Sequence, residues 1–302
     1  GRKLEKIRKK LGGCPVFLEA VKRHSREAMK GLAGYLRQEG LLDEVSDALV
    51  DSGWVGSMQK TLQEALGYLG RERKLEGYYF GLYDLPDGME REHYHCYYFH
   101  PWGGFREKVF FNNCLFEAVY TAPHGMTLGY RREGEVYVPC YGSLEEERKA
   151  FVRRTVGWVM EYAEELAKTM TKKRLLSLQI QRERDTARKL LRLFMTAPSR
   201  EEARIYGQLS FSDDVLEEEG QPIAPQMSQK ELKANHMLRR LLRTAVLKRP
   251  NMAKSAWYEG SAVLGRKHVK RHIRQYRLWQ YARFAIQAAK QAKKKRGGRK
   301  GD

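Results

Sequence analysis

The sequence predicts an α/β fold, with a Rossmann-like parallel-sheet body followed by a helical, strongly basic C-terminal part. Three observations predict it. A short apolar run over 46–51 ends in a carboxylate and gives way to a glycine loop and then to a helical repeat. An aromatic run over 75–83 follows that helix, so strand, loop, helix and strand alternate in the order of a parallel α/β unit. Charge also divides the chain: residues 1–227 carry 35 basic and 34 acidic side chains, whereas residues 228–302 carry 22 and 3. The predicted organisation is a near-neutral catalytic body over 1–227 and a cationic helical region over 228–302.

Residues 15–40 place Phe17, Val21, Met29, Leu32 and Leu36 at helical spacing, and these are the expected core contacts. Ser46-Asp47-Ala48-Leu49-Val50-Asp51 is too short for a helix and suits a buried strand. Met58, Thr61, Leu62, Ala65 and Leu66 restore the helical period, and LEGYYFGLY at 75–83 reads as the second strand. Pro86, Gly88, Pro101, Gly103 and Gly104 make 84–104 loop-like.

Residues 105–121 read as one helix carrying Asn112, Asn113 and Glu117. Segments 127–130 and 135–141, separated by Arg131-Arg132-Glu133-Gly134, predict a hairpin. A helical pattern runs over 144–195 with a break near 169–172, and 204–211 reads as a returning strand. An acidic linker over 213–226 precedes two helical stretches at 229–248 and 266–294.

With 302 residues, 42% hydrophobic and 11% aromatic, the chain can bury a core, which excludes wholesale disorder. No apolar run reaches the roughly 18 residues that a membrane-spanning helix needs. Cys14, Cys96, Cys114 and Cys140 lie far apart without a C-x-x-C pair. That argues against a zinc ribbon or a disulfide scaffold and for reduced thiols in the cytoplasm. The opening Gly-Arg-Lys reads as a piece of a longer polypeptide or a tag remnant.

The strongest chemical signal is Asp51-Ser52-Gly53-Trp54-Val55-Gly56-Ser57-Met58-Gln59. Between a strand and a helix, Gly53 and Gly56 let backbone amides approach an anion, and Ser57 and Gln59 add side-chain donors at a helix N-terminus. Asp51 stands at the strand end, where α/β sheets put ligand-contacting residues. The plainer reading is a strand-to-helix turn with Ser57 as its cap.

Asn113 and Glu117 lie four apart on one predicted helical face, beside Asn112, and such a set can grip sugar hydroxyls. His124, in a Pro/Gly loop, is a candidate proton donor or phosphate ligand. His93, His95 and His100 with Cys96 match a loose zinc spacing, but the intervening Tyr97, Tyr98, Phe99 and Trp102 favour an aromatic loop or lid. Asp213, beside Asp214, and Trp257-Tyr258-Glu259-Gly260-Ser261, read as a break between helical stretches, are secondary candidates for facing an acceptor.

In the tail, Val269, Ile273, Tyr276, Trp279 and Phe284 are interleaved with Lys and Arg. That is the composition of an interfacial helix on anionic lipid; RNA would draw on the same residues, and a docked helix with a solvated basic face is the plainer alternative.

Ala48 through Gln59, with Tyr35-Leu36-Arg37-Gln38-Glu39-Gly40 before it, resembles bacterial polysaccharide-biosynthesis proteins often catalogued as haloacid-dehalogenase-like hydrolases. Leu115-Phe116-Glu117, Ala122-Pro123-His124-Gly125 and Trp257-x-Glu259-Gly260-Ser261 also look like that family. The likeness is scattered over about residues 15–265, and the phosphatase's own aspartate motif is missing. The resemblance implies a phosphoribosyltransferase-type glycosyltransferase that moves ribose-5-phosphate from phosphoribosyl pyrophosphate (PRPP) to a sugar hydroxyl of a surface polysaccharide. A fused or separate phosphatase would then remove the 5-phosphate.

On that reading Gly53, Trp54, Gly56, Ser57 and Gln59 hold the donor phosphate, Asp51, Glu117 and His124 carry the chemistry, and Mg²⁺ arrives with the donor pyrophosphate. The acceptor is lipid-linked, so the expected location is the cytoplasmic face of the inner membrane, held there through 266–302. A nucleotide-sugar donor is the alternative within the same class. An RNA-binding protein is the alternative outside it, disfavoured by the near-neutral body.

Overall fold

A computed structural model of the chain describes residues 2–43, 47–171, 180–211, 221–245 and 255–298. It is a mixed α/β structure whose main sheet has three parallel strands in the order β1-β2-β3, accompanied by many helices. The residues fall into two compact units, one of 1–48, 61–75 and 124–144, the other of 49–60, 76–123 and 145–302.

The first unit holds helices α1 (Arg2–Gly12) and α2 (Pro15–Gln38) and the antiparallel hairpin of β4 (Thr127–Glu133) and β5 (Val136–Tyr141). Pro15 opens α2 at the position where its missing N–H costs nothing. The hairpin packs against the second half of α2. Two glycines permit this: a Cβ on Gly31 would lie 2.2 Å from the Tyr130 carbonyl oxygen, and one on Gly34 would lie 2.1 Å from the Tyr137 ring. Tyr35 stacks on Tyr130 at 4.4 Å. The Gln38 amide both donates to the Tyr137 carbonyl at 3.0 Å and accepts its N–H at 2.6 Å.

Leu36 is buried here as predicted, but Phe17 and Val21 are exposed. The helical period identifies an apolar face without showing how far along the helix its cover extends. In the same unit the Arg71 guanidinium forks onto both Asp47 carboxylate oxygens at 2.6 and 2.7 Å and also donates to the Leu41 carbonyl at 2.6 Å.

The second unit contains most of the three-stranded sheet. The strands are β1 (Ala48–Asp51), β2 (Glu76–Gly81) and β3 (Tyr94–Phe99); α3 (Ser57–Tyr68) lies between the first two in sequence, residues 57–60 of it in this unit and the rest in the first. Strand β3 corrects the loop expected over 84–104. HYHCYYFH is a nearly unbroken aromatic run without the alternation that marks a half-exposed strand. Its register, Gly77 opposite Tyr94 and Tyr79 opposite Cys96, brings the strand ends to one edge.

The single helix expected over 105–121 is two, α4 (Phe105–Phe110) and α5 (Asn113–Val119). Asn112 takes an extended backbone and caps α5, its Oδ1 accepting from the Leu115 N–H at 2.8 Å.

Long helices α6 (Glu146–Thr169) and α7 (Ile180–Thr196) follow. Residues 204–211 are not one strand: α8 (Arg200–Tyr206) opens on a reciprocal Ser199–Glu202 capping box, and only β6 (Ser210–Phe211) is extended, paired with β7 (Gln221–Pro222). Then come α9 (Gln229–Ala234), α10 (Met237–Ala245), α11 (Tyr258–Leu264) and α12 (Val269–Gly298).

Trp257-Tyr258-Glu259-Gly260-Ser261 is therefore no open break; it enters a buried helix. The core is aromatic, with Phe99, Phe111, Phe116 and Trp257 packed around Leu115, Met195 and Ile223. Trp279 and Phe284 of α12 are buried too, Phe284 against Val109 and Phe110. That corrects the expectation of tail aromatics at lipid headgroup level. Their rings are already covered by protein, which leaves the exposed cations Lys270, Arg271 and Arg274 outside. No helix among the described residues is long and apolar enough to cross a membrane.

Candidate functional site

Asp51 closes β1, and its side chain folds over the turn that follows. Oδ1 accepts the Gly53 N–H at 2.8 Å, while Oδ2 is buried without a hydrogen-bond partner. A Cβ on Gly53 would meet that Oδ2 at 2.6 Å, so the carboxylate's own position requires glycine there. Gly56 adopts φ +65°, and a Cβ on it would lie 2.7 Å from the Tyr94 ring. Both glycines are thus explained by side-chain packing, and the Gly53 amide is already engaged.

Gln59 is likewise committed. It is 3% exposed, its Oε1 accepts from the Tyr79 hydroxyl at 2.9 Å, and its Nε2 donates to the His93 carbonyl at 2.9 Å. Its predicted contact with a donor phosphate is replaced by this bridge between α3 and the sheet. Ser57 is exposed at the start of α3. There the first-turn amides lack intrahelical partners and carry the positive end of the helix dipole.

Trp54 ties this turn to α5. Its ring lies 5.2 Å from Phe111, 5.5 Å from Phe116 and 6.1 Å from Tyr83, and its indole N–H donates to Oε1 of Glu117. The Trp54 carbonyl accepts the Tyr83 N–H at 2.8 Å. Asp51 and Ser52 line a cavity of about 590 Å³ with Tyr78, Tyr79, His95 and Tyr120. Ser52 and Glu117 line another of about 450 Å³ with Thr121 and Thr155. The structure therefore brings Asp51, Ser52, Trp54 and Glu117 together around one turn. Burial and the nearby Asp51 charge hold the Tyr79 hydroxyl far above its ordinary range, so it stays protonated.

The other candidates separate. His124 belongs to the first unit, where it stacks on Tyr141 at 3.9 Å with Nδ1 2.9 Å from the Gly125 carbonyl. Asn112 is consumed as a cap and by donating to the Ala256 carbonyl at 2.9 Å, which removes it as an acceptor ligand. Asn113 is partly exposed on the first turn of α5.

Trp257 is wholly buried, its indole N–H donating to the Met195 carbonyl at 2.8 Å, so it supports the core and faces no acceptor. Glu259 is buried, its Oε1 4.0 Å from Arg277, and burial pushes its carboxyl up to about 7. Asp213 lies outside the described residues.

His93 and His95 share the Glu76 carboxylate, His93 Nδ1 2.6 Å from Oε1 and His95 Nε2 2.8 Å from Oε2, and His93 Nε2 lies 3.3 Å from Oε2 of Glu90. The two bonds to Glu76, the His93 bond first, draw its carboxyl below its usual range. No group of three or more His, Cys, Asp or Glu side chains among the described residues is arranged to hold a metal ion.

Sequence reasoning missed a third cavity, of about 650 Å³, formed by the loops that follow β2 and β3. Asp84, Asp87, Arg91, Trp102 and Lys108 line it. Recognising 94–99 as a parallel strand would have found it. That strand places Trp102 at the same sheet edge as Asp51, the edge where open α/β sheets bind ligands.

What fold and site define is a mixed α/β chain with an acidic turn at the C-terminal edge of a parallel sheet. No protein-family model matches the chain, and no curated protein matches it.

Proposed function

We propose that this chain is a glycosyltransferase of phosphoribosyltransferase type, using PRPP as donor and a sugar hydroxyl as acceptor. One observation carries the reading. Asp51 ends a parallel strand and lines a 590 Å³ cavity, one turn of chain before a helix N-terminus, and its Oδ2, buried in the turn, has no hydrogen-bond partner among the described residues. A buried carboxylate oxygen without a partner costs free energy unless a ligand supplies one.

In the reaction the acceptor oxygen forms a bond to the anomeric carbon as that carbon's bond to pyrophosphate breaks. The hydroxyl proton passes to Glu117, which the Trp54 indole holds in place, and pyrophosphate departs. Asp51 takes the ribose hydroxyls or offsets the oxocarbenium-like charge. The 5-phosphate lies on the amides and hydroxyl at Ser57 rather than on Gln59 or the Gly53 amide, both of which are engaged elsewhere. A single free carboxylate oxygen suits Mg²⁺ carried on the pyrophosphate rather than a protein cage.

The test is a thermal-shift titration with PRPP and with UDP-, GDP- and CDP-sugars, with and without Mg²⁺, on wild type and Asp51→Asn. Stabilisation by PRPP that disappears in the variant supports the reading. A shift with one nucleotide sugar instead assigns the site to a nucleotide-sugar-dependent transferase. No shift with any of them overturns both.

A further inference from the structure

We propose that the 650 Å³ cavity behind β2 and β3 binds a neutral saccharide, with Asp84, Lys108 and Arg91 as its polar contacts and Trp102 and Phe105 as its apolar wall. Its size lies within the range of small-molecule sites, about 300–1,000 Å³.

Lys108 is the strongest evidence. The residue is only 8% exposed, yet among the described residues its ammonium makes one hydrogen bond, to the Pro101 carbonyl at 3.0 Å, and lies 6.0 Å from the Phe99 ring centre. An ammonium carries three donors, so two hydrogens of a buried cation remain to be met on the cavity wall. Burial lowers the Lys108 pKa, and the Asp84 charge works against that shift. Asp84 spends one oxygen on the adjacent Leu85 N–H at 3.0 Å, and Arg91 lies over the Trp102 ring at 4.8 Å with no ion pair among the described residues.

The charges decide the ligand class. The lining residues carry both signs, Asp84 and Asp87 with Arg91 and Lys108, so a phosphate or a polyanion would meet carboxylates as well as cations. The wall offers strong acceptors and strong donors at once, beside the partly exposed aromatic rings of Trp102 and Phe105. A ring bearing several hydroxyls, each both donor and acceptor, with an apolar C–H surface, matches all three; an aliphatic ligand would leave the remaining Lys108 donors unmet and a phosphate would meet the carboxylates. Position agrees. The lining residue Tyr83 donates its N–H to the Trp54 carbonyl at 2.8 Å, which ties the cavity wall to the strand-end turn that carries Asp51.

That the saccharide is the acceptor rests on the transferase reading; that the cavity binds one does not. The experiment is saturation-transfer NMR and calorimetry on the full chain with methyl glycosides of neutral pyranoses, with inorganic phosphate as the anion control. Wild type is compared with Asp84→Asn, Lys108→Met and Asp51→Asn, each checked for fold by circular dichroism. Expected is saccharide binding that weakens about tenfold or more in Asp84→Asn and Lys108→Met, the loss of a charged hydrogen bond, and is unchanged in Asp51→Asn.

Absence of saccharide binding by wild type overturns the proposal. So does binding indifferent to both cavity variants, or a cavity filled by phosphate in place of the glycoside. Saccharide binding without any PRPP shift keeps this site and removes the donor assignment, so the two failures are told apart.

Discussion

The indole of Trp54 and the carboxylate of Glu117 are joined by a hydrogen bond across 63 residues of sequence, linking the strand-end turn to α5. Trp54 is thus both a packing residue, set among Phe111, Phe116 and Tyr83, and the group that aims Glu117. Replacing Trp54 with Phe keeps most of the ring packing and removes this hydrogen bond to the carboxylate. On the proposed transferase reading, with Glu117 as base, the expected outcome is a transfer rate about tenfold lower with little change in donor binding, because mispositioning a base acts on the reaction step. Glu117→Gln, which keeps the hydrogen bond but cannot take a proton, should lose about a hundredfold or more in rate. Rates measured at saturating donor check both; equal losses in donor affinity would mean that the pair only shapes the pocket.

How much of this was legible in the sequence depended on whether each residue's partner was local. Asp51, β1 and α3 follow one another along the chain, so their order revealed the unit. The hairpin was readable from its own turn for the same reason. Strand β3 was not, because a parallel partner lies a whole connection away and its aromatic run shows no alternation.

The uses of Gln59 and Asn112 are also long-range. One reaches the His93 carbonyl and the other the Ala256 carbonyl, and no spacing rule shows that a donor is already engaged. The tail misled in the opposite way. Aromatic rings among cations look the same whether they meet lipid or their own core, and Phe284 packs on Val109 and Phe110.

Arg71 and Asp47 form a forked pair whose guanidinium is nearly buried. Bonding to Arg71, first of all, holds the Asp47 carboxyl below its ordinary range. Asp47→Asn takes the charge partner from a nearly buried guanidinium and should cost about 3 kcal/mol in urea unfolding, whereas Arg71→Met leaves Asp47 paired with Arg73 at 3.0 Å and should cost less. Because the folded-state pKa is depressed, the pair's contribution is complete above the unfolded pKa of Asp and fades as pH falls through the lower folded value. Wild type should therefore lose stability relative to Asp47→Asn only at acid pH.

Burial of Trp279 and Phe284 changes how membrane attraction has to be tested. Deleting α12 would open the core, so lost vesicle binding would report unfolding. Lys270, Arg271 and Arg274 are exposed and can be changed to Glu together without touching that core. Near an anionic surface each cation contributes about 1 kcal/mol. The triple variant should release from phosphatidylserine vesicles at much lower salt than wild type while melting at the same temperature. Unchanged release would remove the electrostatic reading of the tail.

Two buried groups near α12 give folding opposite pH dependences. His272 is almost fully buried, its Nε2 3.1 Å from the Gln229 side-chain oxygen and its Nδ1 2.9 Å from His236 Nε2. With Nε2 protonated and donating to Gln229, Nδ1 can only accept from His236. A second proton would set two N–H groups against each other, and burial, with the charges of His236, His268, Lys233 and Arg271, lowers the pKa to about 4. The unfolded chain therefore binds more protons between about pH 6.5 and 4, and stability falls as pH drops through that window.

Glu259 does the reverse. Its carboxyl is pushed up to about 7, so the folded state holds the proton longer and stability falls as pH rises from about 4.5 to 7. Arg277, 4.0 Å away, offsets that burial only in part.

In the wild type the two slopes oppose each other across their shared range, and melting temperature should vary little between pH 5 and 7. Separating them is the check. Glu259→Gln removes the alkaline penalty, so its melting temperature should exceed wild type at pH 8, by an amount corresponding to about 3 kcal/mol, and lose that advantage by pH 4.5. His272→Gln removes the acid penalty and should flatten the curve below pH 6. If Glu259→Gln destabilises at pH 8, Glu259 is paired more strongly with Arg277 than their separation indicates, and its carboxylate, not its acid, is the form the core is built around.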